Sequence, residues 1–148
     1  IIIATDKENY TSGDTLNFYV WVGNPATGSA IQADAFIGMG LPDGSLLFFN
    51  PALQLQGSDI KDSRTFTAFA QNATLSPGLV FPGAQEMTTD LDGNGKKDSF
   101  KLYSLPLTAL TPKGEYFAFA ALAQPGSVQS GLPQIIGKIS LAVFQINP

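Results

Sequence analysis

The sequence predicts an all-β chain folded as a sandwich of two antiparallel sheets with long loops. Three observations carry this. Hydrophobic residues alternate with a period of two wherever any period is visible, Gly, Pro and Asp-Gly turns bound the apolar runs, and no window shows a sustained helical period with caps. A parallel sheet would need helical crossovers, and their absence selects antiparallel pairing of about seven short strands.

The elements follow in order. Ile1-Ile2-Ile3-Ala4 is an uncharged β-branched run with two readings: the first strand of the chain's own sandwich, or a strand added to the exposed sheet edge of a neighbour. Leu16, Phe18, Val20 and Val22 share one face of the next strand, and Asn17, Tyr19 and Trp21 the other. Ala35, Ile37, Met39 and Leu41 alternate likewise. That strand ends at Pro42-Asp43-Gly44, where Pro sets φ and Asp-Gly completes a turn, so Leu46 to Phe49 return as its hairpin partner. Further strands are expected at Thr65–Ala70, Ser99–Tyr103, Glu115–Ala123 and Lys138–Ile146. With no internal repeat or linker, residues 1–148 form a single domain.

Two connections, Asn50–Arg64 and Gln71–Thr89, are longer than a minimal sandwich needs, and such loops are usually functional or tied down. Several strands also carry apolar groups on both faces. Leu46–Phe49, Tyr116–Leu122 and Ile139–Phe144 do so, whereas a free sandwich needs only its inner faces apolar. Long loops, a neighbouring domain or another subunit are the candidates to cover the outer faces.

Charge is sparse. Only 14% of residues are Asp, Glu, Lys or Arg, so much of the surface is Ser, Thr, Asn, Gln and apolar groups, which suits a secreted or assembled protein shielded by glycans or neighbours. The net charge of −4 and the scattered basic residues argue against nucleic acid as a partner. The most apolar stretch, Ile135–Ile146, is too short for a membrane span and carries Lys138. The chain starts at Ile1 with neither an initiator Met nor a basic-then-apolar leader, which is expected of a processed chain or an excised fragment. There is no Cys and no His. Ser-His-Asp and Cys-His chemistry are thereby excluded, and zinc loses its preferred ligands. Glu8, Glu86 and Glu115 exist, but nothing in the sequence positions a glycosidase pair among them.

One run specifies a ligand. Asp90-Leu91-Asp92-Gly93-Asn94-Gly95-Lys96-Lys97-Asp98 places Asp90, Asp92 and Asn94 at alternate positions, then Gly95 for a sharp turn, the Lys96 carbonyl, and Asp98. This is the oxygen spacing of an EF-hand-type calcium loop, and its three carboxylates would repel one another without a cation. The twelfth position of such a loop is a bidentate Glu, but here it is Lys101, so further oxygens must come from water or elsewhere. Asp-Gly and Asn-Gly are also the best two-residue turn formers, so a plain hairpin is the competing reading.

Thr5-Asp6-Lys7-Glu8-Asn9-Tyr10-Thr11-Ser12-Gly13-Asp14-Thr15 before an alternating strand resembles the opening of macroglobulin-like and other bacterial immunoglobulin-like domains. Leu110-Thr111-Pro112-Lys113-Gly114-Glu115-Tyr116 resembles the tyrosine corner of such sandwiches, in which the Tyr hydroxyl returns to upstream backbone. The resemblance implies an immunoglobulin-like extracellular or cell-surface module used for adhesion, spacing or assembly, and not usually catalytic. The chain is longer than a simple immunoglobulin fold and lacks the inter-sheet cysteines.

The leading expectation is therefore a non-enzymatic, calcium-stabilised structural or adhesion module, secreted or on the cell surface, that self-associates or joins a neighbouring surface protein, as in a filament. The alternative is a carbohydrate-binding module attached to a secreted enzyme, with Trp21, Tyr19, Tyr10 and Tyr103 as a glycan platform; the same aromatics would otherwise fill a core. Asn9-Tyr10-Thr11 and Asn72-Ala73-Thr74 fit the glycosylation acceptor pattern at Asn9 and Asn72.

Overall fold

The computed structural model describes residues 1–25 and 27–148. The first strands are β1 (Ile2–Thr5), β2 (Asn9–Tyr10), β3 (Thr15–Gly23), β4 (Ile31–Gly40), β5 (Leu46–Phe49) and β6 (Leu55–Gly57). They are followed by β7 (Ala70–Leu75), β8 (Val80–Phe81), β9 (Lys101–Pro106), β10 (Gly114–Ala123) and β11 (Ile135–Ile146). A four-stranded sheet holds β1, β3, β8 and β9, and a seven-stranded sheet runs β2-β11-β10-β4-β5-β6 with β7 also on β4. Pairing is antiparallel except between β2 and β11, so the expected two-sheet, all-β sandwich is the observed fold.

The period-two pattern explains the main core. Leu16, Phe18 and Val20 are buried on the inner face of β3 and meet Ile37 and Met39 of β4, Ala118 and Ala120 of β10, and Phe144 of β11. The edge-to-face contact of Phe18 with Phe49 at 5.7 Å joins the two layers, and that of Tyr10 with Phe144, also at 5.7 Å, fastens β2 to β11 within the larger sheet. Ile1–Ala4 takes the first of its two readings: Ile2 and Ile3 pair with Trp21 and Val20, and Ile3 is 3% exposed.

The turns follow their residues. Gly44 adopts φ +85° between β4 and β5, and Ser45 N–H donates to Asp43 Oδ1 at 2.9 Å, which closes the predicted hairpin. At the corner before β10, the Tyr116 hydroxyl donates to the Pro112 carbonyl at 2.7 Å, as expected from Pro112-Lys113-Gly114-Glu115-Tyr116. Near the start, the Tyr10 hydroxyl donates to Asp6 Oδ1 at 2.7 Å, and Asn17 donates to Asp6 from its backbone N–H at 3.1 Å and from its side chain at 2.9 Å.

Burial pushes the Asp6 carboxyl up, but the bonds from the Asn17 side chain, the Tyr10 hydroxyl and the Asn17 backbone outweigh it and hold the group below the usual carboxylate range. A depressed folded-state value gives stability that is present above the unfolded value and lost as pH falls through the folded one. Asp6→Asn is therefore expected to lower stability at neutral pH. It should also flatten the loss of stability between about pH 5 and about pH 2, measured by urea denaturation across that range.

The structure corrects one strand. Thr65–Ala70 is not paired as expected: Ser63–Thr65 form a 3-10 turn capped by Asp62, and β7 starts only at Ala70. Its alternation has another cause. Phe66 and Ala68 face the outer side of the larger sheet, so a draped segment mimics the period of a strand. Together with Val128 they pack on Phe36, Phe48 and Phe119 and form a second apolar cluster outside the sandwich. The long connections thus supply part of the cover that the two-faced strands require. They are also not wholly irregular, since Asn50–Arg64 contains β6 and Gln71–Thr89 contains most of β7 and all of β8.

Candidate metal centre

Residues 90–98 form a loop projecting from the start of β9. Its base is closed by the Thr89–Ser99 bridge, where Thr89 N–H donates to the Ser99 carbonyl at 3.1 Å and Asp98 N–H to the Thr89 carbonyl at 3.0 Å. Ser99 is fully buried there, and its hydroxyl donates to the Thr89 carbonyl at 3.1 Å. From the smaller sheet, Trp21 Nε1–H donates to the Asp98 carbonyl at 3.3 Å, so the loop is fastened to β3 as well as to its own base.

Inside the loop the acidic side chains hold the backbone. Asp90 Oδ1 accepts from the N–H of Gly93 at 2.8 Å and of Asn94 at 3.0 Å, and its Oδ2 accepts from Gly95 N–H at 2.7 Å. Asp92 accepts from the Asn94 backbone at 3.1 Å and side chain at 2.9 Å, and Asn94 Oδ1 accepts from Lys96 N–H at 2.9 Å. Asp98 Oδ1 accepts from Leu91 N–H at 3.3 Å. Gly93 and Gly95 take φ +75° and +86°, a region that L side chains enter only with strain, and this lets three successive amides turn inward. The Asp92-Gly93 and Asn94-Gly95 dipeptides form a carboxylate-centred turn inside a loop that the antiparallel Thr89–Ser99 bridge closes.

The donor set is hard oxygen throughout, and an oxygen that accepts one amide keeps a second lone pair for a cation. Among the described residues, however, no three carboxylate, His or Cys side chains gather closely enough to hold a metal ion. The arrangement prepares the loop backbone more than it assembles a ligand shell. The two ion pairs of the described residues, Lys7–Asp14 and Arg64–Asp62, lie elsewhere.

The other sequence candidates are dispersed. Tyr10 and Tyr19 are buried, Tyr103 packs on Phe49 at 4.9 Å, and Trp21 is half-buried with its N–H engaged, so the four rings share no exposed platform. Asn9 lies exposed on β2, and Asn72 exposed on β7 with φ +48°. Two features were invisible in the sequence. Glu8 and Glu115 come together around a shallow depression beside Val143 and Gln145. A wholly apolar cavity of about 360 Å³ lies on the outer face of the larger sheet, between Phe48, Phe66, Phe119 and Leu141. No helix among the described residues is long and apolar enough to cross a membrane. Comparison with family models, with curated proteins and with solved structures gives no match for this chain.

Proposed function

We propose that the chain is a non-enzymatic, immunoglobulin-like structural or adhesion module that works outside the cell, is stabilised by calcium in the 90–98 loop, and assembles with a neighbour. The observation that carries the reading is the Asp90 carboxylate gathering the amides of Gly93, Asn94 and Gly95. It folds the backbone of residues 93–95 around one carboxylate, in a run that also carries Asp92, Asn94, the Lys96 carbonyl and Asp98. Those groups, with Asp90, would hold the ion. Bound calcium supplies a compact positive charge that neutralises the three carboxylates.

Lys101 at the twelfth position removes the bidentate carboxylate of an EF-hand loop and so weakens the site. A loop of that strength fills at the millimolar calcium found outside cells, where extracellular modules have dissociation constants of roughly 10⁻⁴ to 10⁻³ M. The sparse surface charge supports the same setting, and without Cys or His the chain cannot carry out Ser-His-Asp or Cys-His chemistry.

Isothermal titration calorimetry with calcium tests the reading. The native chain should bind one ion per chain, and Asp92→Ala should weaken binding at least about tenfold, since a ligand is lost from an already short set. A native chain that takes up no calcium at millimolar concentration would remove the proposal.

A further inference from the structure

β11 is paired with β10 along one side, but on the other side only at its end, where Gln145 N–H donates to the Glu8 carbonyl at 2.8 Å and β2 meets Gln145 and Ile146. Backbone groups alternate sides along a strand. The N–H and C=O groups of Leu141 and Val143 therefore point to the same side as those of Gln145, and no described strand pairs with them, or with the adjoining Ile139, on that side. Their side chains are 53%, 60% and 57% exposed and continue the outer apolar surface, Leu141 beside Phe119 and Val143 beside Phe117. β1 does not fill this edge. It packs beneath β11, where Ile3 N–H donates to Ser140 Oγ at 3.0 Å.

We infer that this edge is a homodimer interface: two copies of the chain join their larger sheets by antiparallel β11–β11 pairing centred on Leu141. The inference rests on the reading of the chain as an assembling module and names its partner. A two-fold axis at Leu141 sets Ile139 opposite the partner's Val143, so an exposed aliphatic row meets its own copy. Charge favours the same pairing. Lys138 lies at one end of the edge, while Glu8 and Glu115 flank Val143 and Gln145 at the other. Antiparallel pairing brings each Lys138 to the acidic end of the partner's edge, twice per dimer. The β-bulge that breaks the register below Ser140, with Gly137 at φ +73°, ends the flat part of the edge and confines the pairing to the few residues around Leu141. Because the symmetry consumes both free edges, the product is a closed dimer and not a filament.

Sedimentation velocity of the full chain in calcium buffer, from low micromolar to hundreds of micromolar, tests this. A monomer–dimer equilibrium is expected. Leu141→Asp places a charge on an exposed side chain, so it should leave melting unchanged at concentrations where the chain is monomeric while raising the dimer dissociation constant at least about tenfold. Lys138→Glu should weaken the dimer, and Glu8→Lys with Glu115→Lys in the same chain should restore it. Amide exchange at Ile139, Leu141 and Val143 in the native chain should slow with concentration, a readout that needs no variant. A native monomer at every concentration, an oligomer larger than a dimer, or a dimer indifferent to Leu141→Asp would overturn the inference. Calcium titration of the same samples separates the two proposals: a monomer that binds calcium sinks the edge alone, and a dimer that binds none sinks the calcium reading alone.

Discussion

Asp34→Ala is expected to destabilise the chain by about 2–3 kcal/mol, because the buried side chain accepts two hydrogen bonds that the variant cannot replace. Asp34 is 3% exposed on β4, and its two carboxylate oxygens accept from Asn72 N–H at 2.7 Å and Gly126 N–H at 2.8 Å. One bond holds the left-handed turn of Asn72 in β7. The other holds the 124–134 connection, whose Val128 covers the outer face of the larger sheet. The effect should therefore exceed lost stability: the outer apolar cluster should open and bind a hydrophobic dye. Asp34→Asn keeps one acceptor oxygen and should cost roughly half as much in urea denaturation.

The second large effect concerns two glycines on the same face of β4. A Cβ at Gly38 would collide with the Leu47 carbonyl oxygen of the paired strand β5 and with the Phe119 ring, and a Cβ at Gly40 would collide only with the Phe117 ring. Backbone in a ladder cannot move aside without breaking its register, whereas a half-buried ring can swing outward. Gly38→Ala is thus expected to cost about 3 kcal/mol and Gly40→Ala about 1 kcal/mol, within the range for overpacking. Thermal denaturation of both variants checks the order. Equal effects would mean that the β4–β5 ladder gives way as easily as a side chain.

These positions show where sequence reasoning succeeds and where it stops. The β4–β5 hairpin was legible because Pro42, Asp43 and Gly44 encode their own backbone angles, and β3 was legible because one face of a half-buried strand must alternate. The tyrosine corner was legible for a similar reason, since Pro112, Gly114 and Tyr116 lie within five residues of one another. β2 and β8 were not, because strands of two residues are defined by their partners and carry no period of their own. Thr65–Ala70 misled because a segment lying on a sheet alternates like a strand within it. The candidate metal loop was readable in its composition, whose spacing is local. Its anchorage to Trp21 was not, nor was the meeting of Glu8 with Glu115, since each depends on a contact between distant parts of the chain. The apolar outer faces were visible in the sequence. Only the fold tells the covered residues, Phe36 and Phe119, from the exposed ones, Leu141 and Val143.

Calcium is proposed to hold the 90–98 loop and through it the sandwich. Thermal melting of the native chain in saturating calcium and in excess chelator, with elemental analysis of protein equilibrated in millimolar calcium, is the decisive measurement. A ligand at about a hundred times its dissociation constant adds about 2.7 kcal/mol, which for a chain of this size raises the midpoint by roughly 5–10 °C. A calcium-dependent shift of that order is expected, with about one calcium ion per chain in the protein equilibrated at millimolar calcium. Superimposable melting curves with no bound metal would contradict it.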